Sequence, residues 1–588
     1  MLNELADADP AGAVDTTLSH QKQTSKNMDI QRILLGGALA VTSYLLILQW
    51  NQDYGQPVVP TTTTSAPAQI QSGDLATIDQ TSVSSDALPS TNTEVTAVTI
   101  DTQTNNREWV IESDTLRLFI DLVGGDIVRS ELKNYPVVLE QPDISFALLD
   151  NRDRTYLAQS GLTNIDTAEG RPTYQPISDQ TQMVGDTLVV PLVFEDDSVK
   201  VTKTFTLKRG SHTVEVTHDV LNKSSDVLRV APFHQLKRDN SGDPSTQTSM
   251  GVQAFLGYAL KTTEERYYKV DLDEVADRTS VVEINNDLQN TSTAGSYLAL
   301  VQHYFVSAWV PDATDSPRYS FTQTAAGDHV GRIIGSARDL SAGASTQFSA
   351  TLYTGPKDQD VLESLSDGLE LTVDYGWLWF ISQPIFMVLS FLQEYIGNWG
   401  LSIMAVTLLV KLLFFKLSAA AYASMARMRK FTPEMTRLRE LYGDDKQRLS
   451  KEMMDLYKKE KINPLGGCLP ILVQMPVFLA LYWVLLESVE LRQAPFFLWI
   501  ADLSVKDPYF VLPLLMGASM FIQQMLNPTP PDPMQAKIMK IMPIAFTFFF
   551  LWFPAGLVLY WVTNNVLSIA QQYVITKRIE QGDTASSS

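Results

Sequence analysis

The 588-residue chain contains one cysteine, Cys468, and only six histidines. A single cysteine cannot form an internal disulfide, a CxxC redox motif or a cysteine-based zinc site. The histidines show no HExxH or other close ligand spacing, and no GxxxxGK[ST] phosphate-binding loop occurs. The sequence therefore predicts no cofactor and no bound metal, and it argues against zinc catalysis and nucleotide hydrolysis.

Positive charge is scarce in the first 370 residues, which hold 26 Lys and Arg against 50 Asp and Glu. The rest of the chain carries 19 against 16, so the formal net charge of -21 belongs to the front portion. Because an acidic surface repels nucleic acid, we expect no direct nucleic-acid recognition.

Long uncharged runs mark the chain as a membrane protein. Residues 33–50, ILLGGALAVTSYLLILQW, are long enough to cross a hydrocarbon core of about 30 Å. A cleaved signal peptide is the alternative, but the apolar run is long for one, and no small-x-small cleavage pattern follows it. We predict a membrane anchor preceded by a cytoplasmic tail at 1–32.

Five further transmembrane helices are predicted in the back portion, at about 400–418, 468–487, 509–526, 538–553 and 555–575. The last two meet at Pro554 and Gly556, residues that break helices. The loop at 419–467 carries eleven Lys and Arg against seven acids, so the positive-inside rule places it in the cytoplasm. Both termini, including the tail at 576–588, then lie inside as well.

The region between the first and second spans is expected outside the membrane. Residues 51–105 are rich in Thr, Ser, Pro and Gln and predict a flexible linker. Residues 106–370 alternate apolar and polar side chains in short runs such as 116–122 and 199–207, which predicts a large antiparallel β-sandwich. The expected fold class is therefore six transmembrane helices, five of them forming a core, plus an exported all-β domain.

The segment at 371–399 predicts an amphipathic helix lying on the outer membrane surface. Its apolar residues recur at helical spacing, for example at Ile385, Leu389, Leu392 and Ile396. A seventh span is the alternative. It would reverse every later orientation and put the basic loop outside, against the charge pattern.

A charge lies in the apolar middle of the second predicted span, at Lys411. A lysine at the bilayer centre costs about 2.5 to 3.5 kcal/mol, so it usually faces a partner or a water-filled cavity. Snorkelling of its long stem is the alternative. Further polar residues on these spans predict a wet groove, although each is also explained by a hydrogen bond between helices: Thr407, Gln474, Gln523, Gln524, Asn564 and Asn565.

The basic loop holds two helical patterns separated by Gly443, Asp444 and Asp445, which predicts an antiparallel helical hairpin. Methionine is unbranched and adaptable, as a surface that contacts many different apolar segments requires. Ordinary packing within the hairpin explains several of its methionines equally well, namely Met425, Met428, Met435, Met453 and Met454.

Six longer motifs, in this order, resemble the YidC family of membrane protein insertases in its Gram-negative six-span form: TVDYGWLWFISQP (372–384), GNWG (397–400), GDDKQR (443–448), KKEKINPLGGCLPILVQMP (458–476), SVELRQAPF (488–496) and LWFPAGLVLYW (551–561). The resemblance implies a non-enzymatic insertase and chaperone of the bacterial inner membrane. It also implies a periplasmic β-supersandwich related to sugar-mutarotase folds. Its expected partners are nascent membrane proteins, the lipid bilayer, the Sec translocon with its accessory subunits, and the translating ribosome.

The resemblance also implies site residues. Lys411 stands at the family's single intramembrane positive charge, in a groove open to cytoplasm and lipid, and Thr407 matches a substrate-contact position. Tyr560 and Trp561 match an aromatic pair on the sixth span. Lysine replaces the usual arginine, tryptophan replaces a common tyrosine, and the tail lacks the long basic extension that some members use near ribosomes. Relatives begin near a sequence like 28–32, so residues 1–27 are expected to be an extension or a misassigned start.

The sequence argues against two other classes of protein. A transporter or channel also carries intramembrane charge, but it would predict inverted repeats or paired broken helices, which the sequence does not show. An anchored carbohydrate-modifying domain would predict a carboxylate pair, and the exported region has no recognisable one.

Overall fold

A computed structural model of the chain describes residues 107–167, 170–245, 254–289, 291, 293–443, 445–459, 469–527 and 533–585. The predicted tail at 1–32, the anchor at 33–50 and the linker at 51–105 lie outside the described residues.

The first part of the described chain is built from β-strands, and every pairing between them is antiparallel. The alternating sequence explains this, because every second side chain of a strand turns to the same face. The strands are β1 Glu108–Glu112, β2 Leu116–Asp121, β3 Asp126–Pro136, β4 Ser145–Leu149, β5 Tyr156–Leu162, β6 Gln175–Pro176, β7 Thr187–Glu195, β8 Val199–Lys208, β9 Thr213–Asn222, β10 Leu228–Val230, β11 Pro232–Arg238, β12 Gly257–Leu260, β13 Tyr268–Asp271, β14 Leu298–Val301, β15 Phe305–Pro311, β16 Arg318–Gln323, β17 His329–Ile334, β18 Arg338–Leu340 and β19 Ser345–Pro356.

Two large sheets form a sandwich. One has the order β1-β2-β3-β5-β11-β17-β16, with β4 beside β3, and the other runs β13-β12-β14-β15-β19-β9-β8-β7-β6. β10 and β18 form a separate pair. Leu116, Leu118 and Ile120 of β2 are fully buried and belong to one apolar core that also contains residues of the second sheet, such as Val214 and Leu300. The prediction of an antiparallel β-sandwich is confirmed.

Helices make up most of the remainder of the described chain. Three short ones belong to the β-sandwich and its exit: α1 Leu272–Ala276, α2 Arg278–Asp287 and α3 Gln359–Leu365. Two 3-10 turns, Leu369–Thr372 and Gly376–Leu378, lead into the helical region. That region contains α4 Trp379–Ile396, α5 Trp399–Leu413, α6 Phe415–Lys430, α7 Thr432–Tyr442, α8 Lys446–Lys459, α9 Leu469–Glu487, α10 Val511–Leu526, α11 Pro533–Phe549 and α12 Ala555–Ala585.

The predicted second span at 400–418 is interrupted. α5 ends at Leu413, and α6 leaves it at an angle of 69°. The apolar composition continues across the break, through Phe414 and Phe415, so hydropathy alone gives no sign of it. Neither helix alone is long and apolar enough to cross a membrane, whereas the two taken together are.

Among the described residues, only the stretch Gly376–Ile396 is by itself long and apolar enough to cross a membrane. This is the segment that the sequence predicts to lie on the membrane surface. Ser382 on its inner face donates a hydrogen bond of 3.1 Å to the carbonyl of Ala480 in α9. The length of the stretch Gly376–Ile396 fits both a helix on the membrane surface and a transmembrane helix.

The β-sandwich is attached to the end of α9 through polar contacts. Lys357, just after β19, forms a 2.6 Å ion pair with Glu487, and their side chains are only 1% and 3% exposed. His303 Nε2 lies 2.7 Å from the carbonyl oxygen of Leu486. Arg492 donates a 2.8 Å hydrogen bond to the carbonyl of Pro136. Three separate segments of the sandwich, namely the end of β3, the β14–β15 loop and the chain after β19, thus contact one short segment of the helical region.

Candidate functional site

Lys411 lies in the last turn of α5 and is only 8% exposed. Asn398 caps the start of this helix by accepting a 3.0 Å hydrogen bond from the Leu401 amide. The last carbonyls of a helix carry partial negative charge, so the break after Leu413 puts the cation where the helix dipole favours it. The neighbouring Leu412 and Leu413 are exposed apolar residues, as lipid-facing side chains would be.

The Lys411 ammonium points to side chains of two other helices. It donates a 2.7 Å hydrogen bond to Ser568 Oγ of α12 and a 3.4 Å hydrogen bond to Gln474 Oε1 of α9. Gln474 in turn donates to Asn564 Oδ1. We call these four residues the Lys411 cluster. In the described part of the chain no carboxylate forms an ion pair with Lys411, so its partners are neutral oxygens.

The structure thus brings together three of the predicted groove residues and adds one. Lys411, Gln474 and Asn564 meet although they come from three helices. Ser568 did not figure in the sequence reasoning. The sequence feature that could have indicated Ser568 is its spacing, because it lies one helical turn after Asn564. In the structure its hydroxyl donates a 2.6 Å hydrogen bond to the carbonyl of Asn564. A short polar side chain beside an apolar run is common, and so this spacing alone was too weak a signal.

The other predicted groove residues have different surroundings. Thr407 is buried, and its hydroxyl donates a 2.7 Å bond to the carbonyl of Ile403 in its own helix. Asn565 turns toward α10, where its amide donates to Ser519 Oγ at 2.9 Å. Gln523 is partly buried on α10, and among the described residues it has no hydrogen bond to the Lys411 cluster. Adjacent asparagines on α12 thus serve two different helix contacts.

The aromatic pair lies on α12, about one helical turn before Asn564 of this cluster. Tyr560 is buried, with its ring 6.1 Å from that of Phe478 in α9. Trp561 meets the same Phe478 edge-on at 4.7 Å and also approaches Phe550, at 5.3 Å. These rings pack α12 against α9 and against the turn that follows α11.

The hairpin methionines divide by exposure. Met435 in α7 is buried, and the Tyr457 hydroxyl of α8 contacts its sulfur at 3.6 Å. Met425 is buried too, whereas Met428 and Met453 are partly exposed. Met454 is half exposed. Packing within the hairpin thus accounts for Met435, and Met454 is the member that a partner could reach.

A β-sandwich joined to apolar helices that enclose a cation defines a class of membrane protein with a folded domain outside the bilayer. Comparison with known proteins narrows the class. A family model described as "60Kd inner membrane protein" matches residues 391–582, and one described as "YidC periplasmic domain" matches residues 108–388.

Curated relatives match almost end to end. The membrane protein insertase YidC of Stutzerimonas stutzeri (strain A1501) is 51% identical, over 94% of this chain and 99% of its own. The same insertase of Azotobacter vinelandii (strain DJ / ATCC BAA-1303) is 52% identical with the same coverage. The crystal structure of an active YidC insertase aligns with 79% of this chain and 92% of its own at 18% identity, with a TM-score of 0.37 that adds nothing to the assignment.

The chain belongs to the YidC family of membrane protein insertases. It is therefore an insertase rather than an enzyme, and its relatives are named as membrane protein insertases. Relatives of this kind are inner-membrane proteins with a periplasmic domain, and the β-sandwich at 108–356 lies within the match to that domain.

Proposed function

We propose that the Lys411 cluster is the site at which a polar part of a substrate chain enters the membrane. The observation that supports this is the pairing of the ammonium with neutral side chains only. A buried cation without a counter-charge is incompletely compensated, so a substrate carboxylate or polar backbone gains by replacing Gln474 or Ser568 as its partner. The cluster then forms the base of a hydrophilic groove between α5, α9 and α12.

The energetics of such a groove suit an insertase. A polar flank crossing hydrocarbon unaided costs a few kcal/mol per charge, and each 1.4 kcal/mol removed from the barrier is worth about tenfold in rate. Burial of about 20 apolar residues in lipid then drives the step forward, so no nucleotide is needed. The apolar segment leaves along α5 and α12, past exposed side chains such as Leu412.

The proposed topology has six spans, five of which build the core around the cluster. Both termini and the hairpin of α7 and α8 are cytoplasmic, and the segment at 371–399 lies along the outer surface. The support is the excess of Lys and Arg in the 419–467 loop. In this arrangement the hairpin receives chains leaving a translating ribosome, and the lateral face of the helices is free to work beside the Sec translocon.

Insertion of a small acidic-flanked membrane protein into proteoliposomes tests the proposal. Lys411→Gln should lower the insertion rate about tenfold or more, because the cation no longer stabilises the passing flank. Lys416→Gln is the matched control, since this lysine lies five residues away and its side chain is exposed. Equal rates for wild type and Lys411→Gln would overturn the proposal, as would equal losses in the two variants.

Site-specific crosslinking gives a second, independent test. A photoreactive residue in place of Trp561 should capture the apolar segment of an arrested nascent substrate. The same residue in place of Val184, which is highly exposed in the β-sandwich, should not. Absence of adducts from position 561, with insertion activity retained, would place the substrate path elsewhere.

A further inference from the structure

A cavity of about 100 Å³ lies at the junction of the β-sandwich with the helical region, far in sequence from Lys411. We call it the junction cavity. One wall comes from the sandwich, and the others come from the loop between α9 and α10 and from the turn before α12. The lining residues that carry its chemistry are Phe146, His303, Arg492, Asp502, Lys506 and Trp552.

One side of the junction cavity offers hydrogen-bond donors. The Arg492 guanidinium lies 5.5 Å from the ring centroid of Phe305 and 5.9 Å from that of Phe146. Its Nη2 donates to the carbonyl of Pro136 at 2.8 Å, which fixes the group in place. A guanidinium has five N–H donors, so several remain for a ligand. Lys506 adds a second, exposed cation to the same wall.

The other side offers acceptors. His303 Nε2 faces the carbonyl oxygen of Leu486 at 2.7 Å, and a carbonyl can only accept, so this nitrogen carries the proton. Burial lowers the pKa of His303, which keeps the ring neutral. Its Nδ1 is therefore an acceptor, and it is buried without a hydrogen-bond partner among the described residues. Asp502 supplies a carboxylate, which Ser504 orients through bonds of 2.8 Å and 2.6 Å.

The loop that carries Arg492 and Asp502 also presents apolar side chains to the surroundings. Phe497 is 51% exposed and Leu498 is 90% exposed. Trp552 closes the cavity from the neighbouring turn. Exposed aromatic and aliphatic residues beside a polar cavity are typical of the membrane–water boundary. A lipid is therefore the ligand with direct access to this position.

We infer that the junction cavity binds the headgroup of a phospholipid that carries both a phosphate and a primary ammonium. The phosphate lies against Arg492 and Lys506, where charge-assisted hydrogen bonds are strongest. The ammonium lies against Asp502 and donates a hydrogen bond to His303 Nδ1. A trimethylammonium group has no N–H to donate, and a glycerol headgroup has no cation, so both fit less well. The inference rests on the proposed function only for placing this loop at the membrane surface.

Lipid retention by the full-length protein tests the inference. The protein is taken from nanodiscs with equal parts phosphatidylethanolamine, phosphatidylglycerol and phosphatidylcholine, and its bound lipids are counted by native mass spectrometry. We expect phosphatidylethanolamine to be retained preferentially. Arg492→Gln should lower its retention about tenfold, whereas Asp502→Asn should mainly remove the preference over phosphatidylglycerol. Lys200→Gln, an exposed change in β8, is the control and should change nothing.

Several outcomes would overturn the inference. Equal retention of the three lipids by wild type is one, and unchanged retention in both Arg492→Gln and Lys506→Gln is another. The Lys506 variant is included because Arg492 also holds Pro136, so its loss could loosen the junction. Displacement of the lipid by an equal concentration of soluble phosphoethanolamine would assign the cavity to a soluble ligand. The insertion rate of Lys411→Gln is measured in a separate assay. A negative result for the proposed function can therefore be distinguished from a negative result for lipid binding in the junction cavity.

Discussion

The two regions of the molecule each bury a lysine, and they treat it differently. In the β-sandwich, Lys203 is fully buried and donates to the backbone carbonyls of Gly124 at 3.0 Å and Ser160 at 2.8 Å. In the helical region, Lys411 donates to the side chains of Gln474 and Ser568. Carbonyls within a sheet domain cannot leave, whereas side chains on separate helices can turn away.

A further buried lysine lies between these regions. Lys357 has a carboxylate partner, Glu487, and a backbone partner, the carbonyl of Thr372 at 3.1 Å. Among Lys203, Lys411 and Lys357, it is the most completely paired. The comparison separates two kinds of hydrogen-bond partner. Fixed partners serve structure, whereas exchangeable partners suit the proposed site, where the Lys411 ammonium would exchange them for groups of a substrate chain. Changing each lysine in turn tests that division.

The largest effect is expected at Lys357. Lys357→Met leaves Glu487 buried without its counter-charge, which costs about 3 to 5 kcal/mol in the free energy of unfolding. Denaturant titration of the full-length protein in detergent measures it. The double variant Lys357→Met with Glu487→Met should recover most of the loss, because no uncompensated charge is left. A double variant as unstable as the single one would show that the pair itself is not what holds the junction.

A smaller, pH-dependent effect is expected at Lys203. Burial lowers the pKa of this lysine to about 8, so the unfolded chain binds its proton more tightly than the folded protein does. The folded state therefore bears a constant penalty below pH 8 and loses it as the pH rises toward 10.5. Between pH 7 and pH 10 the stability of wild type relative to Lys203→Met should rise by about 2 kcal/mol. A flat difference across that range would show that the folded protein keeps the ordinary lysine pKa.

The alternation of apolar and polar residues in the sequence was sufficient to predict the β-sandwich. Strands such as β8 and β9 alternate buried and less buried residues over ten positions. The range predicted for the β-sandwich, residues 106–370, contains all nineteen described strands. The pairing order of the sheets was not predictable, because it depends on contacts between distant strands such as β15 with β19. The break at Phe414 was also missed, since Leu412, Leu413, Phe414 and Phe415 continue the apolar composition across it.

The candidate site was predictable in part for a similar reason. A lysine in an apolar run is conspicuous by its cost, and so Lys411 stands out in the sequence. Its contact with Ser568 joins positions 157 residues apart and depends on how α5 and α12 pack. The junction cavity gave no sequence signal at all, because its walls come from both regions.

If the hydrogen-bond partners of Lys411 are exchangeable, loss of Ser568 should have only a small effect on insertion. Ser568→Ala removes the 2.7 Å bond to Lys411, but a substrate group or water can take its place, so insertion should fall by no more than about threefold. Lys411→Arg should also stay near the wild-type rate, since the charge remains. Reconstituted insertion of an acidic-flanked substrate measures both. A Ser568→Ala loss as deep as that of Lys411→Gln would mean that Ser568 is as fixed a partner as those of Lys203.

The smallest change in stability is expected at Met454, one of two hairpin methionines that differ in exposure. Met435 is buried against Tyr457, so Met435→Gln should cost about 1 to 3 kcal/mol in unfolding free energy. Met454 is half exposed, so Met454→Gln should stay within about 0.5 kcal/mol of wild type. If the exposed methionine contacts substrate, crosslinking of an arrested apolar segment to α8 should nonetheless weaken in Met454→Gln. Unchanged crosslinking in that variant would leave the hairpin methionines with a packing role alone.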